Sequence, residues 1–308
     1  MSKFIDKNAE ILVIGHTNPD TDTICSALAY SFLKNKLGYN TKPVRAGKLN
    51  PETEFVLDRF GVNIPELVED VSGKNVIMLD HTDYAQSVKG MKEANIVEIV
   101  DHHKLGDVKS TDQIYVRMEP IGSTATIIAK IFKENNVEFD EKSAGMILSA
   151  ILSDTVVFKS VTTTDEDVKI AEELAIILDL DPVQFGIEVK KAKSDISNKS
   201  DRELIDADLK VFSNLKTFVG QIELVEDINK LRKQSLLQEM KKVMEQKKCE
   251  TGLMMVTNIM KEDTDLLIVG KKDYVEDAFN LKVENDSIYL KGVMSRKKQI
   301  IPSLEKSY

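Results

Sequence analysis

The chain has 308 residues, 42% of them hydrophobic and 30% charged, which is enough material for two globular domains. Its net charge of −9 argues against a general nucleic-acid binder, and it has no apolar run of the roughly 18 residues needed to cross a bilayer. The N-terminus has no signal-peptide core, so we expect a cytoplasmic protein with no membrane or nucleic-acid partner.

The first half of the chain alternates apolar runs with amphipathic segments. Strands are predicted at residues 11–15, 76–79, 96–100 and 114–118, and helices at about 22–37, 123–135, 143–152 and 165–178. Continuous apolar strands separated by helices are typical of a parallel sheet covered on both faces. We therefore expect an N-terminal, doubly wound α/β domain over residues 1–190.

The second half predicts a smaller domain with a mixed sheet. A helix is predicted at 182–193, and the polar, aperiodic residues that follow indicate a linker or hinge at 191–200. Strands are predicted at 209–212, 218–224, 253–256 and 266–269, with one long helix at about 228–247. We expect a C-terminal α/β or α+β domain over residues 201–308.

The chain has only four histidines, and all of them lie in three short Asp-rich motifs. The motifs are residues 16–22 (HTNPDTD), 80–81 (DH) and 101–103 (DHH). Imidazole and carboxylate groups together are ligands for divalent metals. Each motif follows an apolar run, and the carboxyl ends of parallel strands are where such sheets collect their site residues. The sequence therefore predicts a metal centre at that edge.

The candidate ligands are too many for one ion and suit two. They comprise three imidazoles and five carboxylates, namely Asp20, Asp22, Asp80, Asp101 and Asp154. Two ions roughly 3.5–4 Å apart share a carboxylate and a bridging water, which as hydroxide can attack phosphorus. The alternative is that single aspartates lie near histidines by chance, since the chain has 51 acidic residues, or only cap helices. Three motifs together favour the metal site.

These motifs resemble those of the DHH phosphoesterase superfamily. Residues 153–155 (SDT) and 295–299 (SRKKQ) narrow the resemblance to the family II, manganese-dependent inorganic pyrophosphatases. The resemblance implies hydrolysis of pyrophosphate to two phosphates in a cleft between the domains, with a bridging hydroxide as nucleophile. It further implies two Mn²⁺ per subunit, Co²⁺ as a substitute, an additional Mg²⁺ or Mn²⁺ that arrives with the substrate, and a homodimer formed through the first domain.

The resemblance also assigns roles to individual residues. One ion would be held by His16, Asp20 and Asp80. The second would be held by Asp22, Asp80, His102 and Asp154, with Asp80 bridging.

For the remaining residues, the resemblance implies contacts with the substrate. His103 would face it, and Lys210, Arg296 and Lys297 would anchor it, because a guanidinium and ammonium groups suit phosphate oxygens. We expect Asp101 to orient a neighbouring histidine, and His81 to play a supporting or structural role.

Two other readings stay open from the sequence. A related DHH phosphoesterase could act on short polyphosphate or small dinucleotides, although nuclease-type relatives carry a GGGH-like element that residues 201–308 lack. A phosphate or nucleotide sensor without activity would be expected to have lost ligands, and none of the expected ligands is missing.

Overall fold

The computed structural model describes residues 7, 9–110, 112–194, 196, 199–225 and 227–307. The chain forms two compact units, Met1–Lys193 (unit 1) and Ser194–Tyr308 (unit 2). The linker predicted at 191–200 includes residues 195, 197 and 198, which lie outside the described residues, so its limits stay a prediction. No helix in the described ranges is long and apolar enough to cross a membrane.

Unit 1 alternates strands and helices and then ends in four consecutive helices. Its elements are β1 (Ile11–Ile14), α1 (Thr21–Lys36), β2 (Thr41–Arg45), α2 (Pro51–Arg59), β3 (Glu66–Leu67), β4 (Asn75–Leu79), β5 (Asn95–Asp101), β6 (Tyr115–Met118), α3 (Thr124–Glu134), α4 (Glu141–Asp154), α5 (Asp165–Leu178) and α6 (Pro182–Ser194).

The six strands of unit 1 form one parallel sheet in the order β3-β2-β1-β4-β5-β6. The order reverses between β1 and β4, because β1 leads outward to β2 whereas β4 leads outward to β5. Connections leave in opposite directions at such a point, and the crevice between them is where α/β sheets bind ligands. The predicted parallel α/β sheet is confirmed.

The two faces of this sheet are covered differently. On one face Ile77 and Leu79 of β4 pack with helix residues such as Ile24 and Ile147 in a single apolar core. On the other face the sheet packs against Val88, Met91 and neighbouring residues of irregular segments. The β4–β5 connection contains two short 3₁₀ turns, Tyr84–Gln86 and Met91–Glu93, in a segment for which the sequence predicted no helix.

Unit 2 contains a five-stranded mixed sheet in the order β11-β10-β9-β8-β7. Only β8 and β9 pair in parallel, and α8 connects them; the other pairs are antiparallel. Separate apolar cores lie on its two faces. The elements are α7 (Asp201–Ala207), β7 (Leu209–Phe212), β8 (Thr217–Leu224), α8 (Lys230–Gln246), β9 (Thr251–Asn258), β10 (Asp263–Gly270), α9 (Lys272–Phe279), β11 (Ser287–Leu290) and α10 (Ile301–Ser307), with a π-helical turn at Arg296–Ile300.

Candidate metal centre

The loop after β1 places the first motif at the reversal point of the sheet. Asp20 ends this loop as the N-cap of α1, where its Oδ1 accepts from the backbone N–H of Thr23 at 2.9 Å. Asp22 follows in the first turn of α1 and is fully buried. Helix N-termini favour negative charge, so this local structure holds two carboxylates close to the end of β1.

Asp80 leaves the end of β4 through an unusual backbone turn. Its φ of 61° lies in the left-handed region, which few residues other than glycine adopt and which aspartate tolerates. The turn is held by the Asp80 N–H, which donates to the Val100 carbonyl at 3.0 Å. The carboxylate is only 1% exposed. Left-handed backbone at a buried carboxylate of this kind is often found at functional sites.

Three groups of potential ligands among the described residues share the carboxylate of Asp80. Within each group the ligand atoms lie within 4.8 Å of one another. The first group, called site 1, consists of His16, Asp20 and Asp80. The second, called site 2, consists of Asp22, Asp80, His102 and Asp154. The third consists of Asp80, His102 and His103 and overlaps site 2.

The oxygens of Asp80 face different sites. His16 Nε2 lies 3.6 Å from Asp80 Oδ2 and 3.5 Å from Asp20 Oδ2. His102 Nε2 lies 3.5 Å from Asp80 Oδ1 and 3.5 Å from Asp154 Oδ2. The structure thus brings together all six residues that the sequence predicted as metal ligands.

The electrostatics of this cluster fit bound cations. Burial raises the pKa of Asp80 well above its ordinary value, and the nearby carboxylates of Asp22, Asp20 and Asp154 raise it further. Burial likewise raises the pKa of Asp154, as do Asp22 and Asp20. Carboxylates crowded in this way can all ionise only beside positive charge.

The ring of His102 provides an independent sign of a cation site. Its Nδ1 lies 2.9 Å from the Ile121 carbonyl, which can only accept, so Nδ1 carries a proton, and in the neutral ring Nε2 is the nitrogen with the lone pair. That Nε2 is buried and has no hydrogen-bond partner among the described residues. An unpaired buried nitrogen is costly unless something binds it. The donor set therefore suits a borderline-hard divalent cation.

Hydroxyl and backbone donors that the sequence analysis did not identify hold the carboxylates in place. Thr23 Oγ1 donates to Asp80 Oδ2 at 2.6 Å, and Thr124 Oγ1 donates to Asp80 Oδ1 at 2.9 Å. The backbone N–H groups of Thr124 and Ala125, at the start of α3, donate to the two oxygens of Asp22 at 2.7 and 3.1 Å. A serine-threonine helix start at 123–124 was the only sequence signal for them.

His103 and His81 have different surroundings from the other two histidines. His103 is half-exposed, and Asp101 Oδ1 accepts from both its backbone N–H and its Nδ1 at 3.0 Å. Its Nδ1 also lies 3.7 Å from Asp80 Oδ1. His81 is buried; its Nδ1 donates to the Leu79 carbonyl at 2.8 Å, and Nε2 lies 3.0 Å from Ser87 Oγ. Burial lowers the pKa of His81 to about 4, so this ring is neutral.

A buried polar network lies beside site 2. Glu52 Oε1 accepts from the hydroxyls of Thr21, at 2.8 Å, and Ser153, and Glu52 Oε2 pairs with Lys190 Nζ at 3.3 Å. Lys190 Nζ also donates to Ser153 Oγ at 3.1 Å. The network joins α1, α2, α4 and α6 next to Asp22 and Asp154. No sequence pattern singles out Glu52 or Lys190.

The predicted substrate anchors lie in unit 2. Arg296 is buried, and its guanidinium donates to the Asp208 carbonyl at 2.7 Å, the Val219 carbonyl at 3.1 Å and Asp208 Oδ1 at 2.7 Å. Lys210, two residues after Asp208, and Lys297 are exposed. Arg296 thus ties the π-helical turn to the beginning of β7.

Comparison with known proteins identifies the class to which this fold and site belong. The N-terminal domain of the DHH family matches residues 10–151, and the DHHA2 domain matches residues 187–307. The chain is therefore a two-unit protein of the DHH family.

Relatives that match nearly the full length of the chain show to which family within this class it belongs. The chain is 44% identical to the manganese-dependent inorganic pyrophosphatase of Bacillus subtilis (strain 168) over 96% of its own length and 97% of that protein. It is also 44% identical to the enzyme of that name from Methanothrix thermoacetophila, over 97% of this chain and 98% of that one. A solved structure from Methanococcus jannaschii, provisionally described as a family II inorganic pyrophosphatase, is 40% identical with a TM-score of 0.63, covering 97% of this chain and 99% of that one. The chain belongs to the manganese-dependent, family II inorganic pyrophosphatases.

Proposed function

We propose that this protein hydrolyses inorganic pyrophosphate to two phosphates at a centre of two divalent cations in unit 1. The observation that carries the proposal is that site 1 and site 2 share Asp80. The 44% identity to a manganese-dependent inorganic pyrophosphatase across 96% of the chain supports the same reaction and the same metal.

Site 1 and site 2 each hold one ion in this proposal, and Asp80 bridges them. Two ions bound there would supply a bridging hydroxide as nucleophile and would neutralise the attacked phosphate. Ligation by carboxylate and imidazole without thiolate suits Mn²⁺, with Co²⁺ as a substitute. A further Mg²⁺ or Mn²⁺ accompanies the substrate.

His103 faces the substrate in this scheme. Its Nδ1 is taken by Asp101 Oδ1 at 3.0 Å, so Nε2 is the ring atom available to a phosphate oxygen. The half-exposed ring next to Asp80 is in a suitable place for that contact. Asp101 acts by orienting His103.

Lys210, Arg296 and Lys297 anchor the phosphate that leaves. The lysines are exposed, and the described hydrogen bonds of Arg296 use three of its five N–H groups, which leaves two for phosphate oxygens. The ligands lie in unit 1 and these anchors in unit 2. We therefore propose that both units contribute residues to the reaction, with the metals held in unit 1 and the substrate anchored by unit 2.

The proposal also includes the location, the oligomeric state and the partners of the protein. We place the protein in the cytoplasm as a homodimer that forms through unit 1 and does not engage nucleic acid; its net charge of −9 supports the last point. Light scattering during size-exclusion chromatography tests the dimer, and a monomer at micromolar concentration would contradict it.

The reaction is tested with a panel of substrates. Metal-stripped protein is refilled with Mn²⁺, Co²⁺ or Mg²⁺, and phosphate release is measured from pyrophosphate, tripolyphosphate and a cyclic or linear dinucleotide after phosphatase coupling. We expect the fastest release from pyrophosphate with Mn²⁺. The control Asp58→Asn, at an exposed position of α2 outside both sites, retains it. Faster turnover of tripolyphosphate or dinucleotide in every metal would assign the protein to the related phosphoesterases instead.

A further inference from the structure

Two buried threonines each donate a hydrogen bond to a different oxygen of the Asp80 carboxylate. Thr23 of α1 donates its hydroxyl to Oδ2 at 2.6 Å, and Thr124 of α3 donates its hydroxyl to Oδ1 at 2.9 Å. Both threonines are buried, and neither belongs to the ligand groups. Each Asp80 oxygen therefore has its own hydroxyl donor from a different helix.

The backbone N–H of each threonine also donates a hydrogen bond to a second carboxylate. The N–H of Thr23 donates to Asp20 Oδ1 at 2.9 Å, and Asp20 belongs to site 1. The N–H of Thr124 donates to Asp22 Oδ2 at 2.7 Å, and Asp22 belongs to site 2. Each threonine thus connects two carboxylates of one and the same site.

We propose that Thr23 and Thr124 are positioning residues that set the affinities of site 1 and site 2 separately. The inference rests on the two-ion centre of the proposed function. A carboxylate oxygen has two in-plane lone pairs, and a hydroxyl that occupies one of them leaves the other directed toward the ion. Because the two oxygens of Asp80 face different sites, a donor specific to one oxygen acts mainly on the ion of that site.

The histidines of the two sites allow each ion to be measured alone. The His102→Ala variant lacks a ligand of site 2, so site 1 is left intact. The His16→Ala variant lacks a ligand of site 1, so site 2 is left intact. Thr23→Val or Thr124→Val is added to each background, since valine keeps the branched shape and loses the hydroxyl. Mn²⁺ binding to the metal-stripped proteins is then measured by isothermal titration calorimetry.

The proposal predicts opposite patterns for the two threonines. Thr23→Val weakens Mn²⁺ binding about 10–100-fold when site 1 is intact, and less than about 3-fold when site 2 is intact. Thr124→Val gives the reverse. The serine variants, which keep the hydroxyl, restore affinity to within about 3-fold of the background.

A matched control separates loss of the hydroxyl from general damage. Thr126 is also buried on α3 and donates to a carboxylate, Asp167 Oδ1, at 2.6 Å, but Asp167 belongs to neither site. Thr126→Val should leave Mn²⁺ affinity unchanged. Circular dichroism of the metal-free proteins checks folding, and an alanine variant replaces any valine variant that does not fold.

The outcomes distinguish this inference from the proposed function. If the parent protein binds two Mn²⁺ but each threonine variant weakens both sites equally, or neither site, the positioning roles are wrong. If the parent protein does not bind two Mn²⁺, the two-ion centre itself is wrong and the inference fails with it.

Discussion

The metal centre of unit 1 and the Arg296 site of unit 2 balance buried charge in opposite ways. In unit 1, Asp22, Asp80 and Asp154 crowd together, and the His102 nitrogen that faces them has no hydrogen-bond partner among the described residues. In unit 2, the buried guanidinium of Arg296 already has the carboxylate of Asp208 at 2.7 Å. The metal centre of unit 1 therefore needs cations to balance its charge, whereas Arg296 in unit 2 is balanced before any ligand arrives. The difference is consistent with the proposal that unit 1 binds the metals and that unit 2 does not.

The largest effect is expected when the Asp80 carboxylate, which both sites share, is removed. We expect Asp80→Ala to lower the turnover number at least about 10³-fold and to weaken the binding of both ions, because Asp80 is the residue that site 1 and site 2 share. Asp101→Ala should cost less, since Asp101 contacts His103. Steady-state kinetics and Mn²⁺ counts by mass spectrometry measure both. Equal losses from the two variants with unchanged metal content would refute the shared role.

The next prediction concerns the buried ion pair of Glu52 and Lys190 beside site 2 and its contribution to the stability of the fold. Lys190→Met leaves the buried Glu52 without its cation and should lower the free energy of unfolding by about 3–5 kcal/mol. Adding Glu52→Gln should recover part of that loss.

Urea unfolding in excess Mn²⁺ measures these effects. Lys133→Met is the matched control, because its partner Glu173 and Lys133 itself are both 42% exposed, so this pair should contribute at most about 1 kcal/mol. Equal losses of unfolding free energy in Lys190→Met and Lys133→Met would contradict this prediction.

Removing an anchor in unit 2 should affect the substrate and leave the metals in place. Lys297→Ala should raise the pyrophosphate KM about 10-fold, the usual range for one charge-assisted hydrogen bond, with Mn²⁺ affinity unchanged. Lys298→Ala, at the next exposed position, is the control and should change KM little. Loss of Mn²⁺ from the Lys297 variant would show that the division of roles between the units is wrong.

The smallest expected effect concerns a surface ion pair of unit 2. Lys216, together with Lys271, lowers the pKa of Glu250 from 4.5 to about 2. A carboxyl group whose pKa is lower in the folded state stabilises that state above pH 4.5, and the contribution disappears as pH falls toward 2. Glu250→Gln should therefore reduce stability slightly at neutral pH and not near pH 2. Thermal unfolding across pH, compared with Glu305→Gln in α10, checks this; an equal effect at both pH values would contradict it.

The sequence predicted the parallel sheet and the place of the site for the same physical reason. Buried parallel strands are continuous apolar runs, and ligand groups follow their carboxyl ends. The sequence did not reveal β2, because Pro43 and charged residues interrupt its pattern, nor the two-residue β3.

The residues that support the ligands were harder to predict than the ligands. Thr23, Thr124 and Glu52 act through contacts with residues 31 to 101 positions away in the chain, and no local spacing marks such contacts. The left-handed backbone at Asp80 and at residues 156–158, two to four positions after Asp154, was equally hard to predict. At 156–158 the reason is that valine and phenylalanine disfavour that conformation.

The central claim is that two Mn²⁺ ions in unit 1 make a pyrophosphatase. The most direct test titrates metal-stripped protein with Mn²⁺, counts bound ions by native mass spectrometry and measures phosphate release from pyrophosphate in the same samples. The account predicts that the rate follows the fraction of chains that hold both ions. Full activity with one Mn²⁺ per chain, or no release from pyrophosphate with both sites filled, would contradict it.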